Sequence, residues 1–435
     1  MRAHISNSAY GILDYAAQPA AMLIAAPILI HRLGLAPYGL WLIASAAVSA
    51  GSIVTSGFGD AVIQRIATLR SVNDLSGIRG VVANTMAINL ILSGVLATIF
   101  WLLAPLLVTR ISHADPSLRF TATWSLRIGA ILILVKSVES VYISAQRAFV
   151  HYGPAVRIGI VTRLSSTGAA LLLAWHGYGV TALMFATLLL TALGLVAQEQ
   201  ALRRHLGPGL LHPSLDRATA TQLASFGCFT WFLALSGVLF SQTDRLILGA
   251  TLGASAVACY GLSVQVAQPI HGLTAAGLHF LFPHLASRFA ADEPSTLQRP
   301  ILIALTINLL SAGFLTAAVL LFGPRLLTLW IDPVVAHQSA LLLPFVACGF
   351  GLLALNITAH YTLMAIGRIR LVTAVNVAGG LLMLLAMVWL IPSRGVEGAA
   401  LARLCYGPIT CLLYLPLIHL LRAPIVSSPA NMEHT

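Results

Sequence analysis

Eight ionisable side chains fall inside long apolar runs of the sequence: Asp14, Arg127, Lys136, Glu139, Arg163, Asp244, Arg245 and Arg403. If those runs cross a membrane, each charge costs at least about 2.5–3.5 kcal/mol at a helix centre and needs a task. Cations in a water-filled lumen can hold an anion; carboxylates there can take up a proton or a cation. Lys136 and Glu139 are three residues apart, share a helix face and can pair. Arg163, beside Ser165, Ser166 and Thr167, lies too deep in its run to reach the headgroups and is expected in a lumen, as is Arg403. Arg127 sits near a span end and is expected to extend to the interface. Asp14, with Gln18 one turn on, suits either a cavity wall or a helix–helix hydrogen bond. Asp244 and Arg245 point about 100° apart on a helix, so they pair poorly with each other. Each needs a partner on another helix or at the interface, which gives them a structural and gating role. Gln265, Gln268, Gly272 and His279 fall within about 60° on one helix face, with His271 at its edge, and such a stripe should face a cavity or a neighbouring helix rather than lipid.

The elements that position these groups follow from composition. The chain has 435 residues, of which 58% are hydrophobic and 9% charged, and its mean hydropathy is +0.90. Ordinary globular domains carry about 25% charged residues. Apolar runs of about 20 residues recur throughout, each long enough to cross about 30 Å of hydrocarbon as a helix. Twelve spans are expected, near 7–30, 38–58, 81–108, 122–145, 153–175, 180–198, 223–250, 256–282, 301–321, 340–364, 371–391 and 396–420. Pro154, Gly177, Pro208, Pro324 and Pro392 are expected to punctuate the connections.

The formal net charge of +11 is topological. With the N-terminus cytoplasmic, arginines such as Arg65, Arg70, Arg79, Arg203, Arg204 and Arg217 gather on the cytoplasmic side, and fewer lie opposite. That bias puts both termini in the cytoplasm and gives no nucleic-acid footprint. The first span leads straight into a second and reads as retained rather than as a cleaved signal. The five cysteines, all in spans, lack metal-ligand spacing.

A weak repeat divides the chain. Tyr38/Tyr260, Gly179/Gly395 and Arg147/Arg368 recur in one order at offsets of 222, 216 and 221 residues. Six spans per half give the halves the same orientation, as parallel repeats. The expected organisation is a lobe at 1–202, a cytoplasmic linker at 203–218, a second lobe at 219–422 and a tail at 423–435. The fold class is an all-α polytopic membrane protein of about twelve transmembrane helices in two parallel six-helix lobes.

Enzyme chemistry is poorly represented. The one lysine, Lys136, lies in a span, so no Gly-rich loop presents a lysine to nucleotide phosphates. The adjacent carboxylates Asp292 and Glu293 read as a solvated loop. No cofactor and no metal are expected, and a membrane glycan enzyme is the weaker alternative.

TDRLILGATLGASAVACYGLS (243–263) resembles a signature of polysaccharide flippases of the multidrug/oligosaccharidyl-lipid/polysaccharide (MOP) exporter superfamily. PILIHRLGLAPYGLW (27–41) resembles its first-hairpin signature and GVEGAALA (395–402) its final-span start. The resemblance implies two six-helix lobes alternating between inward and outward access, with an undecaprenyl-diphosphate-linked oligosaccharide as cargo in the sugar-lipid branch. Arg163, Arg403, Lys136, Gln265, Gln268 and His279 are then lumen candidates for that cargo, and Asp14 and Glu139 candidates for ion coupling. It also implies a bacterial inner membrane and the lipid bilayer as surroundings, with a polysaccharide polymerase and a chain-length regulator as candidate partners. The alternative in the same superfamily is a multidrug/cation antiporter, whose lumen is acidic.

Overall fold

The computed structural model describes residues 19–111, 116–149, 152–207, 212–217, 240–278 and 298–422, with isolated positions between 221 and 238 and at 281 and 285. In chain order the helices are α1 (Pro19–Leu33), α2 (Leu35–Ser56), α3 (Gly59–Ser71), α4 (Leu75–Ile111), α5 (Arg119–Ala148), α6 (Tyr152–Trp175) and α7 (Val180–Leu206). The second half contributes α8 (Thr243–Leu252), α9 (Ala254–Leu278), α10 (Gln298–Trp330), α11 (Pro333–Leu355), α12 (Ile357–Ala365), α13 (Ile369–Leu404), α14 (Tyr406–Cys411) and α15 (Tyr414–Arg422). No strand occurs among the described residues. Their order is that of the expected spans, and eight stretches among them are long and apolar enough to cross a bilayer. Leu102, Leu310, Phe314 and Trp389 point outward, as lipid-facing side chains do. The helical backbone satisfies its own polar groups, which hydrocarbon requires.

Within each half the helices pack on one another: α5 on α4 and α7, α6 on α7, and α11 on α9, α10 and α13. The bridge between halves is α2, which packs on α5 in its own half and on α8 and α9 in the other. Glycine makes that approach possible. A Cβ on Gly39 would stand 1.8 Å from the carbonyl oxygen of Ala254, so only glycine fits there. Beside it the Tyr38 hydroxyl accepts a hydrogen bond from Gln265 Nε2 at 2.8 Å. At the opposite end of α2, Trp231 Nε1 donates to the Val54 carbonyl at 2.7 Å. The halves therefore touch at both ends and enclose a cavity between.

Several expected boundaries move. Pro324 and Pro392 lie inside α10 and α13 rather than in connections. The first break comes instead at 331–332, where the Asp332 carboxylate caps α11 by accepting from Val334 N at 3.0 Å. Spans eleven and twelve are separated at Gly395, whose φ of 58° and ψ of −133° suit glycine. Span ten breaks at Asn356, freeing the Leu355 carbonyl, which accepts from Asn308 Nδ2 at 2.9 Å and from the Tyr414 hydroxyl. Such side chains let a membrane helix bend without a bare carbonyl. Helix α7 continues to Leu206, into the expected linker.

The helix α3 was not expected. It buries Ala61, Val62 and Ile66 against Val81, Val82 and Tyr142, while Gln64, Arg65 and Arg70 stay exposed. Arg70 Nη1 donates to the Ala148 carbonyl at 3.1 Å and ties α3 to the end of α5. Between α3 and α4, Asp74 accepts from Ser76 Oγ at 2.6 Å and Gly77 N at 2.8 Å, and these bonds hold its carboxyl below the usual range.

Replacing Gly39 by valine is expected to cost about 1–3 kcal/mol through overpacking. Gly94→Ala, at a position with nothing within 4 Å, should be neutral or mildly stabilising. Thermal melting of the two purified variants checks the pair.

Candidate functional site

The cavity between the halves has a volume of about 820 Å³. α2 contributes Trp41, Ser45 and Ser49, and α6 contributes Arg163. From the other half come Phe240, Gln242 and Arg245, then Gln265, Gln268 and His271 of α9. Phe350, Asn356, His360, Tyr361, Asn376, Arg403 and Tyr406 complete the wall. Three arginines thus face the space, and no carboxylate lines it among the described residues.

A side chamber of about 450 Å³ opens within the N-terminal half, lined by Lys136, Glu139 and Arg147 of α5, by Arg163, Ser166 and Thr167 of α6, and by Thr187 and Thr191 of α7. Trp41, Ser45, Ser49 and Arg163 line both spaces, so Arg163 stands at the neck between them. Lys136, Glu139 and Arg147 recur at near-helical spacing along one face of α5, a length of about 16 Å at 1.5 Å per residue.

Behind the main cavity lies a buried ion pair. Asp244, 0% exposed in the first turn of α8, pairs with Nη1 of Arg403, 1% exposed near the end of α13. The Tyr260 hydroxyl of α9 donates to Asp244 Oδ2 at 2.7 Å and accepts from Arg403 Nη1 at 3.2 Å. The other carboxylate oxygen accepts from the backbone N–H of Arg245 at 2.8 Å. The Arg403 guanidinium carbon lies 4.2 Å from each ring centre of Phe240 and Phe350, two cation–π contacts from rings set at 90° to each other. Tyr406, packed 4.5 Å from Phe240, donates to Asn376 Oδ1 at 2.9 Å. Spans seven, eight, ten, eleven and twelve therefore converge on one charge cluster.

Of the site residues expected from sequence, Arg163, Arg403, Arg245, Gln265 and Gln268 line the main cavity. Lys136 and Glu139 line the side chamber with Arg163. Asp244 does not reach either space; it anchors Arg403 from behind. Arg127 lies over the rings of Trp101 and Trp124, at 5.2 and 5.5 Å. Asp14 and His279 fall outside the described residues. Sequence reasoning did not single out Phe240, Phe350, His360 or Tyr406, and took Tyr38 and Tyr260 as marks of the repeat rather than as site residues. Tyr260 was visible as the tyrosine opening span eight, but its bond to Asp244 depends on helix packing, which spacing does not encode.

The fold and the arginine-lined cavity define a polytopic helical membrane protein. The chain matches the model of the polysaccharide biosynthesis protein family over residues 31–316 and belongs to that family. Solved structures share the fold. The inward closed conformation of the lipid II flippase MurJ aligns at a TM-score of 0.77, with 11% identity over 95% of this chain and 87% of that one. The inward-facing conformation of a multidrug resistance MATE family transporter of the MOP superfamily gives 0.66, with 14% identity over 94% of each chain. A MOP superfamily transporter from Pyrococcus furiosus, described by a reversed polarity of its binding pocket, gives 0.62, with 16% identity over 97% and 96%. No curated protein sequence matches the chain.

Tyr260→Phe removes one donor to a buried carboxylate and is expected to cost about 1–3 kcal/mol while leaving membrane insertion intact. A lowered melting temperature at unchanged membrane yield checks this.

Proposed function

We propose that the protein is a secondary transporter that flips an undecaprenyl-diphosphate-linked oligosaccharide, an O-antigen or exopolysaccharide repeat unit, from the cytoplasmic to the periplasmic leaflet of a bacterial inner membrane by alternating access. The observation that carries this reading is the sign of the cavity: Arg163 and Arg245 line it, beside an Arg403 whose charge Asp244 offsets, and no carboxylate lines it among the described residues. A cationic amphiphile would meet repulsion in such a space, whereas a diphosphate would be held by charge-assisted hydrogen bonds. Family membership in polysaccharide biosynthesis supports the same cargo class. The aromatic side chains Trp41, Tyr361 and Tyr406 offer flat apolar faces to sugar rings.

Arg163, at the neck between both spaces, is assigned to the diphosphate. Gln265 and Gln268 offer hydrogen bonds to the glycan, and Lys136 adds positive charge in the side chamber. Glu139, the carboxylate of that chamber, is assigned to ion coupling. Tyr38–Gln265 and the Gly39 contact serve as the periplasmic seal, and Trp231–Val54 as the cytoplasmic one. Both contacts are made together in the state described.

The test is genetic. Deleting the gene should abolish surface polysaccharide, and the wild-type gene should restore it. Arg163→Ala should fail to restore it at unchanged protein abundance, and Arg163→Lys should restore it partly, because lysine keeps the charge and loses the two-pronged geometry. If deletion leaves surface polysaccharide unchanged and sensitises cells to cationic drugs, the protein is a multidrug antiporter and the proposal fails.

A further inference from the structure

The buried pair between Asp244 and Arg403 has the make-up of a cation site that the protein has filled from its own chain. Three spans contribute to it. Asp244 supplies a carboxylate, Tyr260 a hydroxyl 2.7 Å from that carboxylate, and Phe240 and Phe350 two aromatic faces, each 4.2 Å from the guanidinium carbon. A buried carboxylate with a phenol beside it and two adjoining aromatic rings, set at 90° to each other, would attract a small cation if the arginine were absent. Arg403 also lines the main cavity, so its removal would open the space to the lumen. The carboxylate itself does not line that cavity and is wholly buried behind the guanidinium.

We propose that Arg403 is a tethered cation: its guanidinium occupies a latent site for a small monovalent cation formed by Asp244, Tyr260, Phe240 and Phe350, so that this half of the transporter holds its lumen wall together without binding a soluble cation. Arg403 is a positioning residue in this sense. It neutralises Asp244 and draws α8, α9 and α13 together. The site is shaped around a guanidinium by a carboxylate, a phenol hydroxyl and two rings set at 90° to each other, so it favours an organic cation of the guanidinium type over an alkali ion. The inference is independent of the cargo assigned above.

Chemical rescue tests it on the full-length protein in detergent, with N-methylglucamine chloride as the background salt. The probes are ethylguanidinium and sodium at equal ionic strength. Arg403→Ala strands the carboxylate and should melt at least about 5 °C below wild type. Ethylguanidinium should recover about half of that loss or more, sodium less, because a ligand bound only by the folded state raises its melting point. Wild type, whose site is filled, should show neither response. The double variant Asp244→Asn/Arg403→Ala removes the stranded charge and should recover without any added cation. If the single variant does not fold, recovery of folded protein in the double variant supports the proposal, and failure of the double variant as well overturns it. A single variant indifferent to both cations, or a wild type raised as much as the variant, also overturns it.

Discussion

The pairing of Asp244 with Arg403 is the constraint on which the second half depends. Two charges at 0% and 1% exposure cannot be left apart in a membrane interior. Breaking such a pair typically costs about 3–5 kcal/mol, because the remaining charge is stranded. To meet, the two residues bring the end of span seven against span twelve, and Tyr260 draws in span eight. Phe240 and Phe350 close over the guanidinium from spans seven and ten. The pair is neutral as a whole, so the sign of the cavity is left to Arg163 and Arg245.

The first half meets this wall through α2. Gly39 lets its backbone touch the start of α9, and Tyr38 reaches Gln265 on the polar stripe of that helix. Both contacts are therefore carried by one helix, at its two ends. Under the proposed alternating access, a rocking motion of one half against the other would break one contact and keep the other. Both ends rest on a glycine: a Cβ on Gly39 would stand 1.8 Å from the Ala254 carbonyl oxygen, and one on Gly57 would stand 2.5 Å from the ring of Trp231, which also donates to the Val54 carbonyl.

Much of this was legible in the sequence. Long apolar runs gave the helices and their order, since hydrocarbon leaves a spanning chain few alternatives. The cost of in-span charges pointed to Arg163 and Arg403 as lumen residues and to Arg245 as a structural and gating one, whereas all three line the cavity. Pro324 and Pro392 misled, because a membrane helix tolerates proline where a soluble one ends. The helix α3 was missed because only half of it is apolar, and its burial against α4 and α5 is a tertiary matter. The Asp244–Arg403 pair was within reach of counting: in the second half the deep in-span charges were Asp244, Arg245 and Arg403, with Glu397 only at the edge of span twelve, so the one deep carboxylate had two cations to choose from. Which one it takes depends on how span twelve crosses span seven, and a single sequence carries no record of that crossing.

The account stands or falls on whether the arginine-lined cavity passes an anionic, lipid-linked glycan. The direct measurement uses purified protein in liposomes loaded with a polyprenyl-diphosphate oligosaccharide, with a glycan-cleaving enzyme added outside as the reporter of leaflet. Wild-type protein should expose the inner-leaflet pool to the enzyme until nearly all of it is cleaved, and protein-free liposomes should stall at the outer-leaflet share. Liposomes that stall at that share with wild-type protein present, while the same preparation moves a cationic amphiphile, would contradict the account.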